Sequence, residues 1–399
     1  MRIMIFIILV FGLLVGCGAE QIEPAPVDPC AGFSCGESGT CIVVEEQAQC
    51  NCNEGYHVFR DTCIVSQICE RDFSLQTDAD LVELAHCTEV IGNIDINESS
   101  IPSLEGLENL KVIHGNLEIA GLGLVELTNL KGLDGLERIK GNLDFHSNAN
   151  LDNILNLQNL EEVKGNLIIG MGTIGSLEGL NNLTQVGGDL MVLFCAQLPT
   201  LQGLNNLISV GEDLSVHLCD GLESMSGLDS LETIGGYFLF DGNPKVQDFR
   251  GMDSLKTIGG DLYVGRWDGN NSLESLEGLE GLVQIAGGLW LQHNWVLNDL
   301  NALSNLQAIG KDLVVENNAS LTQLNGLDLI ESVGDDLVII DNASLVDISG
   351  VLNIRWVEKR FLVWDNPELP QCEVDAFIEL IGEHNIQGEI TTYGNSDIN

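Results

Sequence analysis

The chain has 399 residues, 60 of them Asp or Glu against 16 Lys or Arg, for a formal net charge of −44. That balance excludes a nucleic-acid backbone as partner, because phosphate binding depends on cationic side chains that release counterions. It also makes the chain soluble and self-repelling. With 44% apolar residues the sequence can still build a sizeable core.

Met1-Arg2 leads into an apolar run from Ile3 to Leu14. The run is too short to span a bilayer comfortably and reads as a secretory signal over residues 1–16. It ends on Leu14-Val15-Gly16-Cys17, which resembles the bacterial lipobox. The resemblance implies cleavage before Cys17 and lipid attachment to its sulfur. Residues 17–29, with Pro24, Pro26 and Pro29, then form a tether.

Six cysteines follow at Cys30, Cys35, Cys41, Cys50, Cys52 and Cys63. In an exported chain they form a disulfide framework whose connectivity the spacing leaves open. With Cys52-Asn53-Glu54-Gly55-Tyr56 at its end, the segment 30–63 resembles an EGF-like module. That resemblance implies the pairs Cys30–Cys41, Cys35–Cys50 and Cys52–Cys63. The approach to the first Cys, Pro26-Val27-Asp28-Pro29, carries one acid and two prolines, so no calcium site is expected there.

Beyond Cys69, the stretch Asp78-Ala79-Asp80-Leu81-Val82-Glu83-Leu84 predicts a short amphipathic helix running into Cys87 and a first strand at Ile94. From there one phrase recurs, an apolar-x-apolar strand after Gly and Asn or Asp. Rungs begin at Ile94, Leu117, Leu143, Leu167, Leu190, Leu214, Phe238, Leu262, Leu289, Leu313, Leu337, Phe361 and Ile390, mostly 24 residues apart. Each also carries Leu, Gly-Leu and Leu-x-x-Val/Ile, as in Leu198, Gly203-Leu204, Leu207 and Val210. A unit this small cannot bury its own apolar face, so the period predicts a stacked solenoid. Short apolar stretches separated by Gly and Asn favour strands over helices. The expected fold is mainly β: a right-handed parallel β-helix, or leucine-rich-repeat-like solenoid, about 60 Å long at roughly 4.8 Å per strand.

The passage from Cys69 to Ile96, with the repeated Gly-Asn/Asp-Leu phrase, resembles the receptor L domain, the ligand-binding β-helical module of insulin and EGF receptors. The likeness extends to about Tyr393. It implies a solenoid over 69–393, an N-terminal cap over 69–93 and a Cys69–Cys87 bridge. The run of rungs is about twice that of one receptor module and is read as one rod.

Five residues after the rung marker stand Asn148, Asn243, Asn294, Asn318, Asn342 and Asn366, a candidate ladder of amides at a corner of the coil. In two adjacent rungs the slot holds Cys195 and Cys219. One strand spacing lies within disulfide range, so a Cys195–Cys219 bridge is expected. Strand alternation turns the residue after each marker outward. This column starts with Glu118 and Asp144 and then becomes largely apolar: Ile168, Met191, Ser215, Leu239, Tyr263, Trp290, Val314, Val338 and Leu362. Its apolar members are the candidate ligand-binding residues.

Val374, Phe377, Ile378 and Ile381 fall on one helical face, predicting a closing cap over 370–393. Cys372 has no evident mate and is expected to be a free, partly buried thiol. The seven His form no close pair, and no HExxH, GxSxG or GxxxxGK[ST] pattern occurs, so no enzyme activity, metal or cofactor is expected. Arg266 near Asp268 is the one hint of lyase-like chemistry. The sequence reads as a monomeric surface lipoprotein of a bacterial cell envelope, membrane-held through Cys17 at the outer membrane or cell surface. It would bind a protein or glycan through the outward column. The competing reading is a passive structural spacer without a specific ligand.

Overall fold

Alternation of inward and outward residues over Leu-x-Val makes each rung start a short strand. In a computed structural model, which describes residues 28–97, 101–120, 127–148 and 150–397, every one of the expected markers heads such a strand, from Ile94–Asp95 to Ile390–Tyr393. The signal segment, Cys17 and the tether up to Val27 lie outside the described residues. The strands form one parallel sheet of 14, in register, with Leu190 opposite Leu214 and Leu262 opposite Leu289. A second parallel sheet of 13 strands, mostly two residues each like Ser209–Val210, forms another side of the coil. The fold is thus a parallel β-solenoid of about 12 turns. Its major sheet holds one more strand than the repeat predicts, Phe73–Ser74, so the first rung starts inside the expected cap.

Between the two sheets each turn crosses a third side made of tight turns. There Leu198, Leu201, Leu204 and Leu207 meet Leu190, Val192 and Val210 in one interior, none more than 1% exposed. Burying each contributes roughly 1.5–3 kcal/mol. A single turn has only its neighbours to pack against, so this stabilisation belongs to the stack. The recurring Gly-Leu has a backbone cause: Gly203 sits at φ +115°, and a Cβ there would lie 2.0 Å from the Leu177 carbonyl oxygen. Three rungs pass this corner in a short 3-10 helix instead, and two of them carry Asn156 and Ala302 where the glycine would stand.

Both ends of the solenoid use a helix in place of that third side. Helix α1 (Asp78–Leu84) follows Phe73–Ser74 and buries Leu81 and Leu84. Its start is fixed by Asp80, whose carboxylate accepts from the Thr77 amide at 2.8 Å. Helix α2 (Gln371–Ile381) occupies the long gap before Ile390 and buries Val374, Phe377 and Ile381, with Phe377 5.5 Å from Phe361. A Cys69–Cys87 disulfide lies beside α1. Cys372, expected to be partly buried, is an exposed free thiol near the start of α2, on its solvent side.

Two polar ladders hold the corners. Where the described major strands from Leu143 onward end, one residue takes positive φ, as Phe194, Leu218, His293, Asn317 and Asp341 do at 54–58°. The Asn that follows repairs the bonding. Asn318 donates to the Leu291 and Glu316 carbonyls and accepts the Asn294 amide, while its own amide passes to Asn342. The relay runs unbroken through Asn243, Asn270, Asn294, Asn318, Asn342 and Asn366 to Asn395, the first six fully buried. At the opposite end of the strand, an Asn or Asp standing before a marker accepts the corresponding amide one rung on, as Asn116 does for Asn142 and Asp189 for Asp213.

The N-terminal unit, residues up to Cys63, is built from two small sheets. Gly39–Val44 pairs antiparallel with Gln47–Cys52, and Tyr56–Phe59 lies beside Thr62–Val65. The three disulfides Cys30–Cys41, Cys35–Cys50 and Cys52–Cys63 supply what so few apolar residues cannot.

Replacing Asn318 by Ala strands two buried carbonyls and one buried amide, at about 1–3 kcal/mol for each buried polar group left unpaired. Chemical denaturation should therefore show an N318A loss well above that of an exposed control such as N305A. Stacked acids give a second expectation. Burial raises Asp213 and Asp312 above the ordinary 3.8, reinforced by neighbouring aspartates; in Asp336 the same burial is outweighed by Arg360, which holds it below. A raised folded pKa means that the native state takes up protons first, so stability rises as pH falls through that range toward the unfolded value. Melting temperature should climb as pH falls from neutral toward about pH 4 and turn downward below it, as pH approaches the lowered pKa of Asp336.

Candidate functional site

The outward column is real in space. Ile168, Met191, Ser215, Leu239, Tyr263 and Trp290 stand directly opposite one another from rung to rung, continuing through Val314 and Val338 to Leu362. Its exposure is lower than expected. Leu239 is 8%, Ser215 5% and Val314 2% exposed, and the others are half-buried. Side chains one strand spacing apart cover each other, so alternation fixes the side of the sheet and not access to solvent. The column as a whole is therefore a packed ridge, and Leu239 and Val314 are corrected from contact residues to covered ones.

Two freely exposed aromatic groups sit at the corner beside that ridge: Phe194 at the positive-φ position and Trp267, 62% exposed, in a loop. The loop comes from the 27-residue gap between Leu262 and Leu289, three residues more than the usual 24. The extra length makes Gly265-Arg266-Trp267-Asp268-Gly269 bulge outward before Asn270 rejoins the ladder. Gly265 and Gly269 supply positive φ at its two ends, 70° and 68°.

What holds the bulge is Asp241, on the outward side of the neighbouring strand and 0% exposed. Its Oδ1 accepts the amides of Arg266 at 2.9 Å and Gly269 at 3.0 Å, and the Trp267 and Asp268 amides approach at 3.3–3.4 Å. A loop whose amides converge on one buried carboxylate is fixed in place. Opposite Asp241 in register is His217, its Nδ1 3.5 Å from Asp241 Oδ2.

Around this anchor the rings form a chain. Phe194 and Trp267 each meet His217 edge-on at 6.0 Å. The Arg266 guanidinium lies 4.7 Å from the Trp267 ring and 4.3 Å from Tyr263, and Tyr263 packs on Trp290 at 5.8 Å. Tyr263 donates its hydroxyl to Asp261 at 2.7 Å; burial, helped by that bond, pushes the phenol up to about 12. The patch presents aromatic faces and one cation on a surface that is otherwise strongly acidic. Arg266 is committed to ring stacking, which is not the free cation of the lyase-like hint. Of the expected contact residues, Tyr263 and Trp290 belong to the patch, while Ile168, Met191, Val338 and Leu362 lie elsewhere along the ridge. His217, Asp241 and Trp267 were missed in the sequence; the one signal for them is the irregular 27-residue gap.

The expected Cys195–Cys219 bridge is absent, and both are buried free thiols. Each sulfur lies where a ladder Asn places its amide. Cys219 Sγ is 3.4 Å from the Val192 carbonyl and 3.6 Å from that of His217, and Cys195 Sγ makes the equivalent approaches to Ile169 and Leu193. The column points its side chains at backbone carbonyls, so stacking brings the thiols close without turning them into a bond. Hydrogen bonding to Cys219, together with burial, pushes the Cys195 thiol up and makes it a poor nucleophile. Alkylation of the native protein should label Cys372 promptly and Cys195 and Cys219 only after denaturation, with no reductant needed; peptide mass mapping reads the order.

A family model described as the receptor L domain matches residues 86–162, the first rungs of the solenoid and not the Trp267 patch. The match and the solenoid fold point to a ligand-binding module. Among curated proteins no match to the chain was found.

Proposed function

We propose that the chain is an exported lipoprotein held at a bacterial outer membrane or cell surface through Cys17. Its tether and EGF-like module carry a solenoid that binds a surface protein or glycan at the corner formed by Phe194, Arg266, Trp267, Tyr263 and Trp290. The signal-like start and the lipobox-like Leu14-Val15-Gly16-Cys17 support the anchor, and the spacing and pairing of the six N-terminal cysteines support the EGF-like assignment.

One observation carries the binding reading. Trp267 is 62% exposed on a bulge that the solenoid does not need and that a buried carboxylate nevertheless holds rigid. Exposing an indole costs solubility, and fixing it in advance lowers the entropy lost on binding. Trp, Tyr and Arg are also the side chains in which binding energy concentrates. An acidic rim with a single stacked guanidinium disfavours anionic partners and suits a neutral or basic peptide or a neutral sugar face.

The full-length chain and the R266A/W267A variant should be compared for binding to whole cells and to arrayed glycans, with melting temperature as the fold control. Loss of about tenfold or more, corresponding to roughly 1.4 kcal/mol, supports the site. Equal binding by the two proteins favours the passive spacer. For the anchor, radiolabelled palmitate should enter the expressed chain and not its C17A variant.

A further inference from the structure

We propose that His217, Asp241 and Asp268 form a binding site for one divalent transition-metal ion of the zinc class. One imidazole nitrogen and one oxygen from each carboxylate lie within 4.8 Å of one another. Two of the three donors come from adjacent strands in register and the third from the anchored bulge, so the backbone already brings them together.

Two independent details point to an ion rather than to a simple contact. His217 Nδ1 is buried and has no hydrogen-bond partner among the described residues, although Asp241 Oδ2 lies 3.5 Å away. Leaving such an atom unpaired is costly, and a direct bond would need only a small closing movement. Asp241 is also used unevenly. Its Oδ1 takes the short amide bonds from Arg266 and Gly269, whereas Oδ2 receives only the long ones at 3.3 and 3.4 Å from Trp267 and Asp268. The under-used oxygen and the unpaired nitrogen face each other. Two donors each about 2.0–2.1 Å from a tetrahedral zinc ion are about 3.4 Å apart, close to the separation found here.

An imidazole with two carboxylates suits zinc and its neighbours better than calcium or magnesium, which take oxygen donors. Nδ1 can ligate when the ring carries its proton on Nε2. Three protein donors leave a coordination position for water or for a donor from another molecule. The outer contacts fix the donors: backbone amides hold Asp241, and the edges of Phe194 and Trp267 flank His217. Asp268 is exposed, so an ion at this point ties the bulge to the sheet a second time. The inference does not depend on the aromatic corner binding a partner.

The test uses the full-length chain, stripped with chelator and titrated with Zn2+ and Co2+ in about 150 mM NaCl, which screens diffuse attraction to the acidic surface. The expected result is one equivalent bound, a visible Co2+ ligand-field band, and a change in Trp267 fluorescence. D268N and H217Q should each weaken binding about tenfold or more and abolish the band. C372S should leave both intact, separating the site from the exposed thiol. D268N alters an exposed side chain, and an unchanged melting curve without metal confirms its fold. Equal zinc binding by wild type, D268N and H217Q, no stoichiometric binding, or a response to Ca2+ alone would each overturn the assignment.

Discussion

A chain that turns a corner every few residues must find partners for the amides and carbonyls that no strand can pair, and it must find them inside, where water cannot help. Here the solution is side-chain amides stacked one per turn. Asn243, Asn318, Asn342 and Asn366 each supply donors to two carbonyls and an acceptor for a neighbouring backbone amide, and Asn270 and Asn294 join the relay through their side-chain amides. Because the acceptor belongs to the next rung, the corner of one turn is complete only when the next is in place. The same relay that satisfies the backbone therefore sets the register of the strands, and the Leu columns align as a consequence. The acidic ladder before the markers repeats this logic on the other edge.

That second ladder bears on the charge. A carboxylate oxygen serves as acceptor as well as an amide does, so Asn93, Asn116, Asn142 and Asn166 give way to Asp189 and Asp213 without changing the bonding. Stacking like charges one rung apart is unfavourable, and it adds to the burial that raises Asp213 and Asp312. Arg360 relieves it at the last step by donating its guanidinium to Asp336 as an ion pair while its backbone amide continues the ladder. Exposed pairs such as Lys256 with Glu232 at 2.8 Å reach between rungs too, but at the surface they contribute little. The large negative charge is thus partly a by-product of how the coil closes its corners, and its surplus keeps the sheet edges of separate molecules apart.

The sequence makes the repeat plain because each column has one job. Leu190, Leu214 and Leu262 fill one interior, and every marker expected from them heads a strand. Reading fails where a column has two possible meanings. Position alone could not tell whether Cys195 and Cys219 face each other or the backbone, and the carbonyls take them. Alternation placed Val314 outside the sheet but could not show that its neighbours cover it. Asn270 was hidden because three inserted residues move it out of the slot. Asn270, Asn318 and Asn342 also sit in Asn-x-Ser sequences that look like glycan acceptors, yet all three are buried ladder members, and Ser272 and Ser320 bond to backbone carbonyls of the preceding rung.

Irregularity therefore carries the functional information in a molecule whose regularity is structural. A turn of 24 residues suffices to close the coil, and the solenoid returns to it immediately after the 27-residue turn. The three added residues bury no new apolar side chain; they expose Trp267, Arg266 and Asp268. Against this stands the cost of desolvating Asp241, which the ordinary rungs avoid by placing residues such as Leu193 or Gln292 in that position, neither of them fully buried. A buried carboxylate is tolerated only when donors converge on it, and the donors here are the amides of the bulge itself. Loop and anchor are thus mutually dependent, and neither improves the packing of the coil. The fold itself thus gives the bulge no role, and the binding proposed for this corner would supply one.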